Sequence, residues 1–187
     1  MASNIPLHRI GAGLLVSMLF CLSAACTQEA GSAPVAPLRV TSDSFKDGGS
    51  MPSKLTCDGA DVSPDLQLPS PPAGTKSLAI IMEDPDAPEP FTHWVAYDIP
   101  AGTHHLAEGA STPHKRFEGA AEGLNSFGDL GYEGPCPPSG SPHHYIFHVY
   151  ALDEDPRLPA GQTRDQLAAA VRGHVLAEGM ITGIYGR

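Results

Sequence analysis

The sequence is short of positive charge. Its 187 residues carry 11 Lys and Arg against 21 Asp and Glu, for a formal net charge of −10. Proteins that bind nucleic acid gather cationic side chains to meet phosphates, so this balance argues against polyanionic partners. A single small anion is a different matter, because a pocket answers to the donors that line it. Cysteine is scarce as well, with 4 residues and neither a CxxC pair nor a Cys/His spacing suited to zinc. The GxSxG elbow of serine hydrolases and the HExxH helix of zinc proteases are both missing. No apolar run reaches the roughly 20 residues that a membrane-spanning helix needs, and no internal repeat is visible.

The longest apolar run, Ile10–Ala25, is uncharged, follows Arg9 and ends in the small residues Ser23, Ala24 and Ala25. Those are the parts of an export signal, which makes residues 1–25 a cleaved segment of a secreted chain. Cys26 comes next, and LSAAC (22–26) resembles the lipobox at which bacterial lipoproteins are cut and acylated. Leu22 lies one place further from the cysteine than in the usual pattern, with Ser23 in its position, so plain cleavage after Ala25 is the alternative. The expected location is the bacterial cell envelope, as a lipoprotein anchored to the membrane through Cys26, or else free in the periplasm or medium. Residues 26–37 are rich in Ala, Pro and polar residues without apolar periodicity, and read as a linker. Residues 38–187 are long enough for one domain with its own core.

Two cysteines fall in that domain, Cys57 and Cys136. In an exported protein such a pair more often forms a disulfide than a metal site, and two separate thiols are the alternative. Turn formers, in contrast, are plentiful, with 20 Gly and 19 Pro. They divide strand signals at 38–45, 54–57, 66–68, 77–82, 93–99 and 145–152. The pattern predicts a mostly β domain with a late helix. That helix opens on a capping box, Thr163 to Gln166, with Leu167, Val171 and Val175 along one apolar face. Gly179 is the expected stop, and 180–185 leaves room for a short closing strand. Residues 101–138 carry little periodicity, and loops of that length are usually functional or mobile.

Chemistry gathers in two places. The run SLAIIM (77–82) is a buried-strand pattern that ends in EDPDAP (83–88), where Asp84 and Asp86 stand two apart and are stiffened by Pro85 and Pro88. A lone DPD is by itself most simply an Asx-type turn. The second place is GPCPPSGSPHHYIFHVYALD (134–153), in which a Pro/Gly loop runs into a strand whose first residues are two imidazoles. The two-residue strand period puts His143, Tyr145, Phe147 and Val149 on one side and His144, Ile146, His148 and Tyr150 on the other. His93 opens a third strand, and His148, facing away from His143, reads as a satisfied sheet histidine.

Taken together, EDPDAP (83–88), HWVAYDIP (93–100) and GYEGPCPPSGSPHHYIFHVYAL (131–152) resemble, in order and spacing, the phosphatidylethanolamine-binding protein family. The similarity is to its bacterial, Raf-kinase-inhibitor-like branch, also described as YbhB/YbcL-like. FKDGGSMPSKLTCDGADVSP (45–64) and LNSFG (124–128) continue it, so that it spans almost everything from about residue 40 to 187. The resemblance implies two packed, largely antiparallel β-sheets, a β-sandwich, with a C-terminal α-helix. It also implies a small surface pocket for phosphate or the phosphoryl head of a phospholipid. Position by position, the ligand-binding residues it implies are Asp84, Asp86, His93, Pro137, Pro138, His143 and Tyr145. One departure stands out: where the family motif has Gly-x-His-Arg, this chain reads Ser141-Pro142-His143-His144, and the arginine fork is lost.

In such a pocket the two imidazoles, His93 and His143, can each donate an N–H to an oxyanion and Tyr145 a hydroxyl. Asp84 or Asp86, accepting from the other ring nitrogen, would fix the tautomer and favour the imidazolium. The expected function is a binding protein for a small anionic or phosphorylated ligand, without cofactor or metal and without catalysis. The alternative is an inhibitor of another enzyme, with a protein partner engaged through 101–133.

Overall fold

The computed structural model describes residues 35–187. The expected export signal, Cys26 and the start of the expected linker lie outside those residues. In chain order the elements are β1 (Ala36–Pro37), β2 (Gly49–Ser50), a 3-10 turn (Ser53–Leu55), β3 (Leu66–Gln67), β4 (Ser77–Asp84) and β5 (Phe91–Pro100). They continue with β6 (His105–Leu106), β7 (Ala121–Glu122), β8 (His143–Leu152), α1 (Arg164–Ala170) and β9 (Val175–Tyr185).

The larger sheet runs β1-β9-β8-β4-β5-β7, with β2 also paired to β9, and the second sheet is β3-β6. Pairing among the long strands is antiparallel; only the short β1 and β2 run parallel to β9. The domain is thus mostly β with two sheets and one late helix, as the sequence predicts. β4 sits at the centre because SLAIIM is apolar on both faces, and a strand that must bury both sides needs layers above and below it. On one side Leu66, Leu55, Phe45 and Tyr132 cover Met82, Trp94, Tyr145 and Phe147. On the other, Leu167 and Val171 cover Ala79, Ile81, Val95 and Tyr97.

Several local expectations need correction. Residues 38–45 do not form a strand: the segment makes one isolated bridge, Thr41 to Gln67. Ser42 and Ser44 draw its backbone into side-chain bonds, the Ser42 hydroxyl donating to the Asp65 carbonyl and accepting from the Ser44 N–H. The 54–57 signal belongs to the 3-10 turn, held by the Thr56 N–H and hydroxyl, which both donate to the Ser53 carbonyl. The capping box forms as expected, yet α1 ends at Ala170. Gly173, in the left-handed region at φ 87°, turns the chain so that Val175 begins β9 instead of continuing the helix. Gly179 lies inside β9, where the Leu38 carbonyl packs too close for a Cβ.

The segment 101–138 is also more ordered than its composition suggests. Its organising residue is Glu122, a buried carboxylate that accepts from the Trp94 indole N–H at 2.9 Å, the Ser111 hydroxyl at 2.5 Å and the Phe117 N–H at 3.2 Å. A buried charge so fully hydrogen-bonded is affordable, and it ties the segment to β5. Cys57 and Cys136 are joined by a disulfide whose Cα atoms are 5.4 Å apart across a separation of 79 residues. Closing a loop of that length stabilises the fold by roughly 4 to 5 kcal/mol on the chain-entropy account.

Candidate functional site

Three neighbouring strands deliver the site. β4 ends at Asp84, β5 begins two residues before His93, and β8 begins at His143. Because β5 and β8 both run antiparallel to β4, all three residues meet at one edge of the sheet. The loop at 134–138 covers that edge, and a cavity of about 190 Å³ lies between them.

Asp84 is almost wholly buried, and its carboxylate does two jobs. One oxygen accepts the N–H groups of Asp86 and Ala87 at 2.9 and 3.1 Å, which fixes the DPDAP turn. The other accepts from His143 Nδ1 at 2.7 Å. Facing a carboxylate, that nitrogen carries the proton and leaves Nε2 for the cavity side. Asp86 behaves differently. It does not line the cavity; its Oδ2 accepts both the backbone N–H and the Nδ1–H of His144 at 2.7 Å, on the exposed side of β8. Those two bonds hold the Asp86 carboxyl below the usual carboxylate range. The expectation that either aspartate could back a pocket histidine therefore narrows to Asp84, with Asp86 and His144 forming a second pair outside.

His93 has no carboxylate behind it. Its Nδ1–H donates to the Glu133 carbonyl at 2.7 Å, and the Glu133 N–H donates back to the His93 carbonyl at 3.1 Å. The ring is enclosed by Phe91, Phe127 and Tyr145, with centroids 4.9, 5.8 and 5.2 Å away. Burial pushes its pKa down, against the opposing pull of the Glu133 carbonyl and the Asp84 charge. At His93 desolvation outweighs attraction, whereas His143 has a carboxylate directly behind its ring.

Tyr145 is fully buried, and its hydroxyl has no hydrogen-bond partner. Burial first, and the nearby Asp84 charge second, push its pKa well above the ordinary tyrosine range, so it remains an O–H donor. A buried hydroxyl without a partner costs about 1–3 kcal/mol. Such a group is worth explaining, and the residue that carries it is one of those lining the cavity.

Pro137 and Pro138 form the cavity's opposite wall. Their loop is held from four directions. Glu133 pairs with His93, the Gly134 N–H donates to Asp61 Oδ1 at 2.7 Å, Cys136 is bridged to Cys57, and Arg187 Nε donates to the Pro137 carbonyl at 2.7 Å. Gly134 is required by this packing, since a Cβ there would meet the Leu55 carbonyl oxygen.

Of the seven residues named from the sequence, Asp84, His93, Pro137, Pro138, His143 and Tyr145 surround one cavity and Asp86 lies outside it. The sequence reading missed Phe91 and Phe127. Phe127 is placed by Asn125, whose Oδ1 accepts from the Phe127 and Asp129 N–H groups, an Asx turn that the LNSFG motif encodes. It also missed the Glu133 carbonyl and Arg187, which carry no side-chain signal readable in one dimension. A wider groove of about 470 Å³ lies beside Ile146, His148 and Arg164. Its polar groups are already engaged: His148 bonds Glu178 at 3.3 Å and Arg164 bonds Glu83 at 3.0 Å. Among the described residues no three His, Cys, Asp or Glu side chains are placed to hold a metal ion.

Comparison with known proteins agrees with this fold. The profile described as "Phosphatidylethanolamine-binding protein" matches residues 41–186. A "UPF0098 protein" of Aquifex aeolicus is 45% identical over 159 residues, covering 83% of this chain and 92% of the relative. Another, from Methanothermobacter thermautotrophicus, is 42% identical over 151 residues, covering 80% and 99%. Among solved structures, Escherichia coli YbcL, described as a member of the mammalian PEBP family, superposes with a TM-score of 0.75 at 33% identity, over 81% of this chain and 99% of that one. A PEBP homologue from Chlamydia trachomatis, CT736, gives 0.74 at 36% identity, over 81% and 98%.

Proposed function

We propose that this chain, which belongs to the phosphatidylethanolamine-binding protein family, is a binding protein that holds a small phosphorylated or otherwise anionic ligand in the cavity between His93, His143 and Tyr145. The observation that carries the reading is the convergence on one cavity of His93, His143 and Tyr145, whose buried hydroxyl has no hydrogen-bond partner. A ligand oxygen supplies the partner it lacks. His143 supplies the charge: with Asp84 behind it at 2.7 Å, its imidazolium can donate from Nε2 to the same ligand. The braced proline loop means that little of the binding free energy is spent on ordering the site.

The reading is of a binding protein rather than an enzyme, and of an exported one. The disulfide suits an oxidising compartment, and no helix of the described residues is long and apolar enough to cross a membrane. Anchorage through an acylated Cys26 completes the proposal and is tested by mass spectrometry of the protein extracted from membranes. Binding itself is tested by calorimetry with phosphate and phosphoethanolamine at pH 6. Heat is expected with at least one of them, and is expected to vanish in His143→Ala. Folded protein giving no heat with either would overturn the reading.

A second reading, contact with a protein partner across the same rim, draws on Phe127 and Leu124, which are 44% and 36% exposed. Pull-down from an envelope extract that survives His143→Ala but is lost on replacing 124–128 would favour it.

A further inference from the structure

The two pocket histidines offer opposite halves of a hydrogen bond. His93 Nδ1 faces a backbone carbonyl, which can only accept, so the proton of the neutral ring resides on Nδ1. Its Nε2 is then a bare lone pair on the far side of the ring from Glu133, and the ring lines the cavity. His143 instead has the Asp84 carboxylate behind its Nδ1 at 2.7 Å, an acceptor that favours a ring protonated at both nitrogens and able to donate from Nε2, and Tyr145 supplies its hydroxyl.

Resting on the anion-binding reading above, we propose that His93 is a hydrogen-bond acceptor for the ligand, and that the site therefore selects an oxyanion that still carries a proton. A phosphate monoester in its monoanionic form satisfies all three groups, its bare oxygens accepting from His143 and Tyr145 and its P–OH donating to His93. A sulfate ester of the same shape and charge has no proton to give. It leaves the His93 lone pair buried and facing an oxygen lone pair, which is the kind of mismatch that discriminates strongly in a desolvated site.

The surroundings keep His93 in that state. The titratable groups that face it are Asp84 at the end of β4 and His143 and Tyr145 at the start of β8; the segments at 127 and 133 present an aromatic edge and a carbonyl. Asp84 is already engaged by His143 and the DPDAP turn. Burial among three aromatic rings disfavours a second cation beside the His143 imidazolium.

Methyl phosphate and methyl sulfate test this directly at pH 5.5, below the second ionisation of a phosphate monoester at about 6. Both are then chiefly monoanions of similar size, and they differ in the P–OH. The proposal expects methyl phosphate to bind at least tenfold tighter, and its advantage to shrink toward pH 8 as the ester becomes a dianion. A second measurement uses no variant: nitrogen-15 NMR of the histidine rings in the intact domain should show His93 protonated at Nδ1 and unprotonated at Nε2, with the Nε2 signal moving when methyl phosphate is added. Equal affinity for the two esters, or an Nε2 that gains a proton on binding, would overturn the selectivity while leaving the anion site standing. Binding of neither ester would remove the site reading and this inference together.

Discussion

Two aspartate–histidine pairs join the end of β4 and the turn after it to the start of β8, with the same geometry and different surroundings. Asp84 and His143 are 2.7 Å apart with side chains 6% and 14% exposed; Asp86 and His144 are also 2.7 Å apart, at 41% and 52%. The strand period sends His143 inward and the adjacent His144 outward, and Asp86, in the turn beyond β4, pairs with His144. A bond between exposed groups replaces bonds with water and is worth little. The same bond in a closed site orients a proton, because a buried acceptor left without its partner is costly. The DPD and HH doublets thus encode one functional pair and one latch that holds the turn to the strand.

The largest way to break that contrast is Asp84→Ala. It removes the partner of a half-buried histidine and the anchor of the 84–88 turn together, and should cost roughly 3 kcal/mol, read as a lowered urea midpoint, with ligand binding lost. Tyr145→Phe comes next and separates function from stability. Ligand affinity should fall about tenfold, the worth of one hydrogen bond of about 1.4 kcal/mol. The urea midpoint should hold or rise, because the hydroxyl has no partner to lose in the free protein.

A smaller effect follows pH. The folded-state pKa of His93 is depressed below its ordinary 6.5, so the unfolded chain binds the extra proton first as pH falls. This contribution to stability is complete above about pH 6.5 and is lost as pH falls from there through the depressed folded value. Urea midpoints between pH 7 and 5 should drop in the wild type, and drop less in His93→Gln. The smallest change belongs to the outer pair: Asp86→Ala should shift stability by under about 1 kcal/mol and leave binding within a fewfold of wild type. A loss as large as that of Asp84→Ala would erase the distinction between the pairs.

Much of this was legible before any coordinates. Ser77–Met82 announces a central strand because no polar residue interrupts it, and Thr163 with Gln166 announces a helix start because both side chains have backbone donors to satisfy. What could not be read are features set by tertiary contact. Val175 fits the helical phase of Leu167 and Val171, yet Gly173 reverses the chain and β8 offers Val175 a strand to join. The segment 38–45 has strand-forming residues but lies where serine hydroxyls compete for its backbone. At the site, the side chains were identifiable by type and spacing. Their protonation was not, because the carbonyl that sets the His93 tautomer belongs to Glu133, 40 residues away.

The central claim is that the inward pair, and not the outward one, meets an anion. Phosphorus-31 NMR of phosphoethanolamine titrated with His143→Ala and with His144→Ala at pH 6 tests it most directly. The account predicts a bound signal that persists in His144→Ala and disappears in His143→Ala; equal loss in both variants, or no bound signal in the folded wild type, would contradict it.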